Sequence, residues 1–460
     1  MYKSIHTKEE IAQILKTAKR IFFVGIGGIS MSSLAHISRE NGYEVSGSDR
    51  CASVICDRLE EKNIKVYYSH DAENIKGCDA VVYSAAIAED NPELVAAKKS
   101  GIPLIYRADY LGYIMSKYNH RIGISGMHGK STTTSMSALI FMEAGDPTVV
   151  SGAVMNELEG GTYRSGSDGR FVMEACEYCD SFLSFTPNIA VILNIEMDHP
   201  DYFKDLDQIK HSFASYAAIA SDGYVIANGD DANVLDALKE HKGKIIYFGL
   251  GENAGYRAVN ISYDGGHPCF DIEKSGKYFM SVRLSVTGEH NIMNALASAA
   301  AADLCGIDSD TIARGLYKFK GAARRMEYKG RLENKADIFE DYAHHPTEIR
   351  TTLAGVKKLA KGDIWCVFQP HTYSRTFNLF EDFAASFGGV RAIFADIYAA
   401  REVNTFGVSS QMLAERVENA IYLESFEKIA DYLRKNVKEN DMIIVMGAGD
   451  INKLCALLED

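Results

Sequence analysis

Gly123-Ile124-Ser125-Gly126-Met127-His128-Gly129-Lys130-Ser131-Thr132-Thr133-Thr134 passes from spaced glycines into Lys-Ser and then into hydroxyl residues. Arg121-Ile122 before it reads as a strand, and Met136 to Met142 after it reads as a helix. A strand, a glycine turn and a helix opening on Lys-Ser is the layout of a phosphate-binding loop. Glycines let backbone N–H groups crowd an anion, and the helix start adds unpaired N–H groups and a positive dipole end. Lys130 would reach the outer phosphates of a nucleotide, and the Ser131 hydroxyl would ligate the Mg²⁺ that bridges them. Ile124 stands where the strict spacing has glycine, and a glycine turn that binds nothing is the bland alternative. Lys-Ser-Thr-Thr-Thr at the helix start favours phosphate.

Other polar groups follow apolar runs. Phe171-Val172-Met173 runs into Glu174 and Glu177, and Ala190 to Ile195 runs into Glu196, Asp198 and His199. Mg²⁺ beside phosphates takes oxygen ligands, so Glu177 is a candidate ligand. His199 would suit a second ion, Mg²⁺ or Mn²⁺. Glu196 and Asp198 are left open as site residues or solvated loop charges. His290 and Asn291 open an alanine-rich helix as caps, and Asn294, one turn in, is placed to reach a base. Arg324-Arg325 marks a hinge, where one arginine near a triphosphate would stabilise transferred charge. Beyond it, Asp341-Tyr342-Ala343-His344-His345, Gln369-Pro370-His371 with Arg375, and Gly447-Ala448-Gly449-Asp450 each end an apolar strand.

These clusters need elements to hold them. The strand Ile21–Val24, the loop Gly25-Ile26-Gly27-Gly28 and a helix from Ser33 to Glu40 form a Rossmann-type unit, with Asp49 placed for a ribose hydroxyl. Ser30 replaces the third glycine of the dinucleotide fingerprint, and a tight turn with Asp49 as a helix cap is the simpler alternative. Ser84 and Arg107 end later strands and face the same crevice. Alternating strands and helices continue to the C-terminus, after a short helix over 1–20 and with a hairpin region over 256–286. The expected fold is α/β in three domains: a Rossmann-like domain over 1–118, a central P-loop-type ATPase domain with a mostly parallel sheet over 119–321, and a Rossmann-like domain over 322–460.

At 460 residues, more than one core is required. A formal charge of −13 argues against a nucleic-acid surface. No run is long enough to span a bilayer and no secretory h-region opens the chain, so a cytoplasmic protein without a membrane partner is expected. Nine scattered cysteines fit reduced thiols. The close pair Cys176 and Cys179 lacks partners for a zinc site and reads as two buried small residues rather than a redox pair. Two phosphate-type loops and a third polar domain suit an ATP-driven condensation. A dehydrogenase would leave the Lys130 loop unexplained, and a non-catalytic nucleotide switch would have little use for the acidic and histidine strand ends.

In these ordered motifs the chain resembles the Mur ligases. The resemblance covers nearly the whole length, from Gly25-Ile26-Gly27-Gly28 through Gly126–Ser131, Asn194–His199, His290-Asn291, Arg324-Arg325, Asp341–Glu348 and Phe368–His371 to Gly447–Asp450. It implies UDP-sugar-binding, ATP-binding and amino-acid-binding domains. The carboxylate of UDP-N-acetylmuramate would attack the γ-phosphate of ATP, and the amine of L-alanine would displace phosphate from the acyl phosphate. Gly25, Gly27, Gly28, Ser48, Asp49, Ser84 and Arg107 would hold the UDP-sugar. Gly126, Met127, His128, Gly129, Lys130, Ser131, Thr132, His290, Asn291, Asn294, Arg325 and Asp341 would hold ATP, with Asp341 by its ribose. Ser131, Glu177 and His199 would carry metal. Lys130, His199, Arg325, His344, His371 and Arg375 would be catalytic, in a monomer or homodimer. Met127 replaces a usual threonine, and Cys176 and Cys179 replace carboxylates, while Glu177 is kept. Lys210 is the nearest candidate for the carbamylated lysine of related ligases, and it is left out of the site. The nearest competitor within the family is a recycling branch that adds a preformed tripeptide.

Overall fold

The computed structural model describes residues 6–158, 161–200, 202–333, 335–400 and 402–459. It opens with the helix Lys8–Thr17, whose start is closed by a reciprocal capping box between Thr7 and Glu10. Residues 1–5 of the expected leading helix lie outside the described residues.

The first sheet has five parallel strands in the order Lys65–Tyr67, Glu44–Ser48, Arg20–Val24, Ala80–Tyr83, Leu104–Tyr106. Along Arg20–Val24, Ile21 and Phe23 enter one core, while Phe22 and Val24 enter the core on the other face. A strand buried on both sides must be apolar throughout, which explains the unbroken run. The strand order reverses between Arg20–Val24 and Ala80–Tyr83, and ligands of such sheets bind at that reversal. The helix after the glycine loop begins at Ile29 with Gly28 as its N-cap, four residues before the expected Ser33.

The second sheet has ten strands. His120–Ser125 lies between Ile189–Ile192 and Arg170–Glu174, parallel to both. The phosphate-type loop, the Glu174–Glu177 stretch and the Asn194–His199 stretch therefore leave three adjacent strands at one edge. The expected hairpin over 256–286 is a three-stranded meander, Tyr256–Asp264, His267–Lys274 and Lys277–Arg283, because tight turns form at both Gly265-Gly266 and Ser275-Gly276.

The third sheet runs Glu327–Arg331, Asp337–Asp341, Met442–Met446, Ile364–Phe368, Arg391–Phe394, Ala420–Tyr422, parallel except at its first strand. Alternate residues of Met442–Met446 again serve two cores. One apolar core runs from the first sheet into the second, which ties those two units together. All nine cysteines are free thiols. Among the described residues, no helix is long and apolar enough to cross a membrane.

Candidate active site

The loop after His120–Ser125 turns into the helix Lys130–Ala144 at Gly129, whose φ is +82°. A Cβ there would also stand 2.7 Å from Asn294 Oδ1, so both conformation and space demand glycine. Lys130 folds back over the loop and donates to the carbonyls of Gly126 (2.6 Å) and Met127 (3.1 Å) and to Glu177 Oε1 (3.0 Å). Burial opposes both charges, but their mutual attraction wins: the Lys130 ammonium is held above its usual range and the Glu177 carboxyl below its own.

Glu177 is fully buried. Its Oε1 also accepts from His199 Nε2 at 3.3 Å. Among the described residues its Oε2 accepts no hydrogen bond, although Lys130 Nζ stands 3.0 Å away. A buried carboxylate oxygen with a spare lone pair beside a phosphate-type loop fits a hard divalent cation such as Mg²⁺. Ser131 Oγ donates to Glu174 Oε2 at 2.7 Å, which points its oxygen at the same carboxylate-lined edge. The Tyr178 ring packs 4.9 Å from the ring of His199.

Opposite the loop stands the third sheet's edge. The Asp198 carboxylate takes Arg375 Nε and a terminal nitrogen of its guanidinium at 2.9 Å each, with both groups buried. Asp198 stays far below the usual carboxylate range, since His199 and Arg375 outweigh its burial. Glu196 receives the Thr347 hydroxyl at 2.6 Å, and His345 donates from Nε2 to the Met197 carbonyl at 3.1 Å. Arg375 also donates to the His371 carbonyl (2.8 Å), and its guanidinium lies 3.3 Å from His371 Nδ1. His344 is neutral: burial drives it down to about 3. Its Nδ1 is 3.0 Å from the Tyr342 carbonyl, so Nδ1 carries the proton and Nε2 keeps a free lone pair. Burial and Arg375 bring His371 down to about 4, and its ring stacks on Tyr398.

Between the second and third sheets lies a cavity of about 670 Å³. His128, Gly129, Thr132, His290, Asn291 and Asn294 line it from one side, and Arg325, Asp341 and Glu348 from the other. Phe248, Phe319, Val356 and Leu359 add an apolar wall.

Several expected residues have internal duties. Asn294, expected to reach a base, accepts from Thr133 Oγ1 (3.1 Å) and donates to Asn291 Oδ1 (3.0 Å), tying the alanine-rich helix to the loop helix. Asn291 donates to the Thr287 carbonyl at 2.7 Å, while His290 is exposed at the helix start. The Asp341 oxygens accept from the N–H groups of Met326 (2.9 Å) and Ala343 (2.8 Å), and burial lifts this carboxyl to about 6. Arg324 reaches the Gly447 (2.9 Å) and Gly449 (3.2 Å) carbonyls, which leaves Arg325 as the cavity's arginine. Lys210 pairs with Asp236 at 3.0 Å.

In the first unit, Asp49 Oδ2 accepts from the Gly27 N–H at 2.9 Å and so braces the glycine loop. Ser48 turns away from that loop to the buried Glu93 (2.8 Å) and to His70 (3.0 Å). Gly25 donates to the Ser48 carbonyl, and Gly28 caps the following helix. Arg107 donates to Ser30 Oγ at 2.9 Å, which joins the loop to the end of the fifth strand, and Ser84 accepts from Ala86 in a turn. Glu174 and Glu348 stand within motifs named from the sequence but were given no role there, and the precise partners of Glu196 and Asp198 were not foreseen. Glu348 had a signal: it lies four residues after His344, in the first turn of the helix Pro346–Lys357.

A phosphate-type loop closed under a histidine–arginine cluster defines an enzyme that brings a nucleotide to a second reactant. Models of the Mur ligase family, catalytic domain, of the Mur ligase middle domain and of the Mur ligase, glutamate ligase domain match residues 20–119, 124–302 and 324–449. The UDP-N-acetylmuramate–L-alanine ligase of Clostridium tetani is 47% identical over 447 residues, covering 95% of this chain and 97% of that protein. Its counterpart in Acetivibrio thermocellus is 47% identical over 445 residues, covering 95% and 94%. The solved UDP-N-acetylmuramate–alanine ligase of Thermotoga maritima superposes with a TM-score of 0.80 at 27% identity, covering 96% of this chain and 98% of that one. A murein peptide ligase from Psychrobacter arcticus gives 0.71 at 25%, covering 96% and 98%. The chain belongs to the Mur ligase family.

Proposed function

We propose that this protein joins L-alanine to the carboxylate of UDP-N-acetylmuramate at the expense of ATP, with residues 1–118 holding the UDP-sugar, 119–321 the ATP and 322–460 the amino acid. One observation carries the reading: the Lys130 loop and the His344–His371–Arg375 cluster meet across the Asp198–Arg375 pair, so phosphate and amine chemistry share one site. A carboxylate resists amines until one oxygen becomes a good leaving group, and transfer of the γ-phosphate to it supplies that group. Lys130 and Arg325 offset the charge on the transferring phosphoryl group. Mg²⁺, when bound, would neutralise the phosphates, with Ser131 and Glu177 holding it and His199 a second ion, Mg²⁺ or Mn²⁺.

His344 presents an unprotonated Nε2, placed to accept a hydrogen bond from the amine of alanine, which attacks as the free base and whose proton leaves with the phosphate. His371 and Arg375 would hold the amino-acid carboxylate. Carbon–nitrogen bond formation then expels phosphate, which carries away the former carboxylate oxygen. The test uses UDP-N-acetylmuramate labelled with ¹⁸O in its carboxylate. One label in each released phosphate supports the acyl phosphate, and unlabelled phosphate during amide formation refutes it.

A further inference from the structure

Glu348 carries no role in the chemistry above, yet it stands between the two halves of the nucleotide cavity. It is a carboxylate in a site meant for phosphates, and its side chain is 9% exposed. Its two oxygens divide their work. Oε2 accepts from the His344 N–H at 3.1 Å and lies 3.4 Å from His344 Nδ1. Oε1 faces two nitrogens that line the cavity, His128 Nδ1 at 3.4 Å and a terminal nitrogen of Arg325 at 3.5 Å. The other nitrogen of the same imidazole, His128 Nε2, lies 3.0 Å from Glu196 Oε2. A ring whose two nitrogens each face a carboxylate needs a proton on both, and a neutral imidazole has only one.

We propose that Glu348 is a positioning residue, which keeps the His128 ring charged and holds it with Arg325 at the phosphate side of the cavity. Two carboxylates and two cations then form a neutral group that spans the second and third sheets. Without Glu348 the ring would keep one carboxylate partner, and its buried position would favour the neutral form. The groups facing the ring agree. Glu196 and Asp198 come from the loop after Ile189–Ile192, Glu348 comes from the helix Pro346–Lys357, and the neutral His345 ring packs 4.8 Å away. Lys130 follows two residues later on the same loop, with its charge committed to Glu177. Although burial opposes it, the pull of Glu196 and Glu348 lifts His128 to about 9.

The inference rests on the reading of this cavity as a nucleotide site, so two measurements separate them. The first is histidine ring NMR on the ligand-free protein, with His128 assigned through H128N. It should find the ring charged to near pH 9 in the natural protein, and neutral at least about one pH unit lower in E348Q, where the amide still accepts from His344. The second is calorimetric ATP binding at pH 6.5 and 8.5. The natural protein should change less than about twofold, E348Q should weaken about fourfold or more toward pH 8.5, and H128N/E348Q should be as flat as the natural protein. A His128 titration that ignores E348Q, or an E348Q binding profile parallel to the natural one, overturns the inference alone. Failure of the natural protein to bind ATP overturns the nucleotide reading and the inference with it.

Discussion

Glu177 combines full burial, a lysine partner and an oxygen that accepts no hydrogen bond among the described residues. That arrangement is costly unless a cation completes it. Glu177→Gln keeps the shape and removes the charge. It should lower Mg²⁺-dependent turnover by at least about 100-fold while circular dichroism stays unchanged. Near-natural turnover would remove Glu177 from the metal site. The residue types here were legible in the sequence, because Lys130, Ser131 and Glu177 follow strands whose apolar runs are easy to read. Their commitments were less so. Asn294 looked free to reach a base, but it is taken up by Thr133 and Asn291, and no sequence pattern distinguishes an amide that binds a ligand from one that binds a neighbouring helix.

At the level of elements, the site depends on how the loop enters its helix and on how the third sheet's edge docks. Gly129→Ala would force a side chain into a left-handed turn, at about 1–2 kcal/mol, and against Asn294. ATP affinity should fall by about tenfold or more in calorimetry; unchanged affinity would mean that the loop does not cradle phosphate. Asp198→Asn leaves Arg375 buried without its counter-charge, which typically costs about 3–5 kcal/mol. Amide exchange in the helix Tyr373–Asn378 should accelerate as that edge loosens, and unchanged protection would show that the pair does not hold it. This pairing joins residues 177 positions apart, so it is a product of docking that local patterning cannot announce. Strand order was legible only as alternation. The start of the helix at Ile29 and the second turn of the meander were not, since both hinge on how glycines are used in three dimensions.

For the whole molecule, the three units are joined in two ways. Gly112 lets the helix Arg107–Met115 approach so closely that a Cβ would stand 2.0 Å from the Ser184 carbonyl oxygen, consistent with the shared core of the first two sheets. The third unit instead docks through charged and polar pairs, which makes its closure sensitive to pH. His128 is raised from 6.5 to about 9, so its contribution is complete below 6.5 and is lost as the pH rises through 9. Glu196 is lowered from 4.5 to about 2, because His128 and Thr347 outweigh its burial, so its contribution holds above 4.5 and is lost as the pH falls through 2. Small-angle scattering should find the closed arrangement between about pH 5 and 8 and expansion above about pH 9. A radius of gyration constant to pH 10 would refute charge-based docking.

The most direct measurement is phosphate release from ATP and Mg²⁺ with UDP-N-acetylmuramate, with L-alanine, glycine, L-serine or the tripeptide added singly. Release should require both the UDP-sugar and L-alanine, with a new amide in the product mass. Turnover with the tripeptide alone, or no turnover with any acceptor despite tight ATP binding, would refute L-alanine addition.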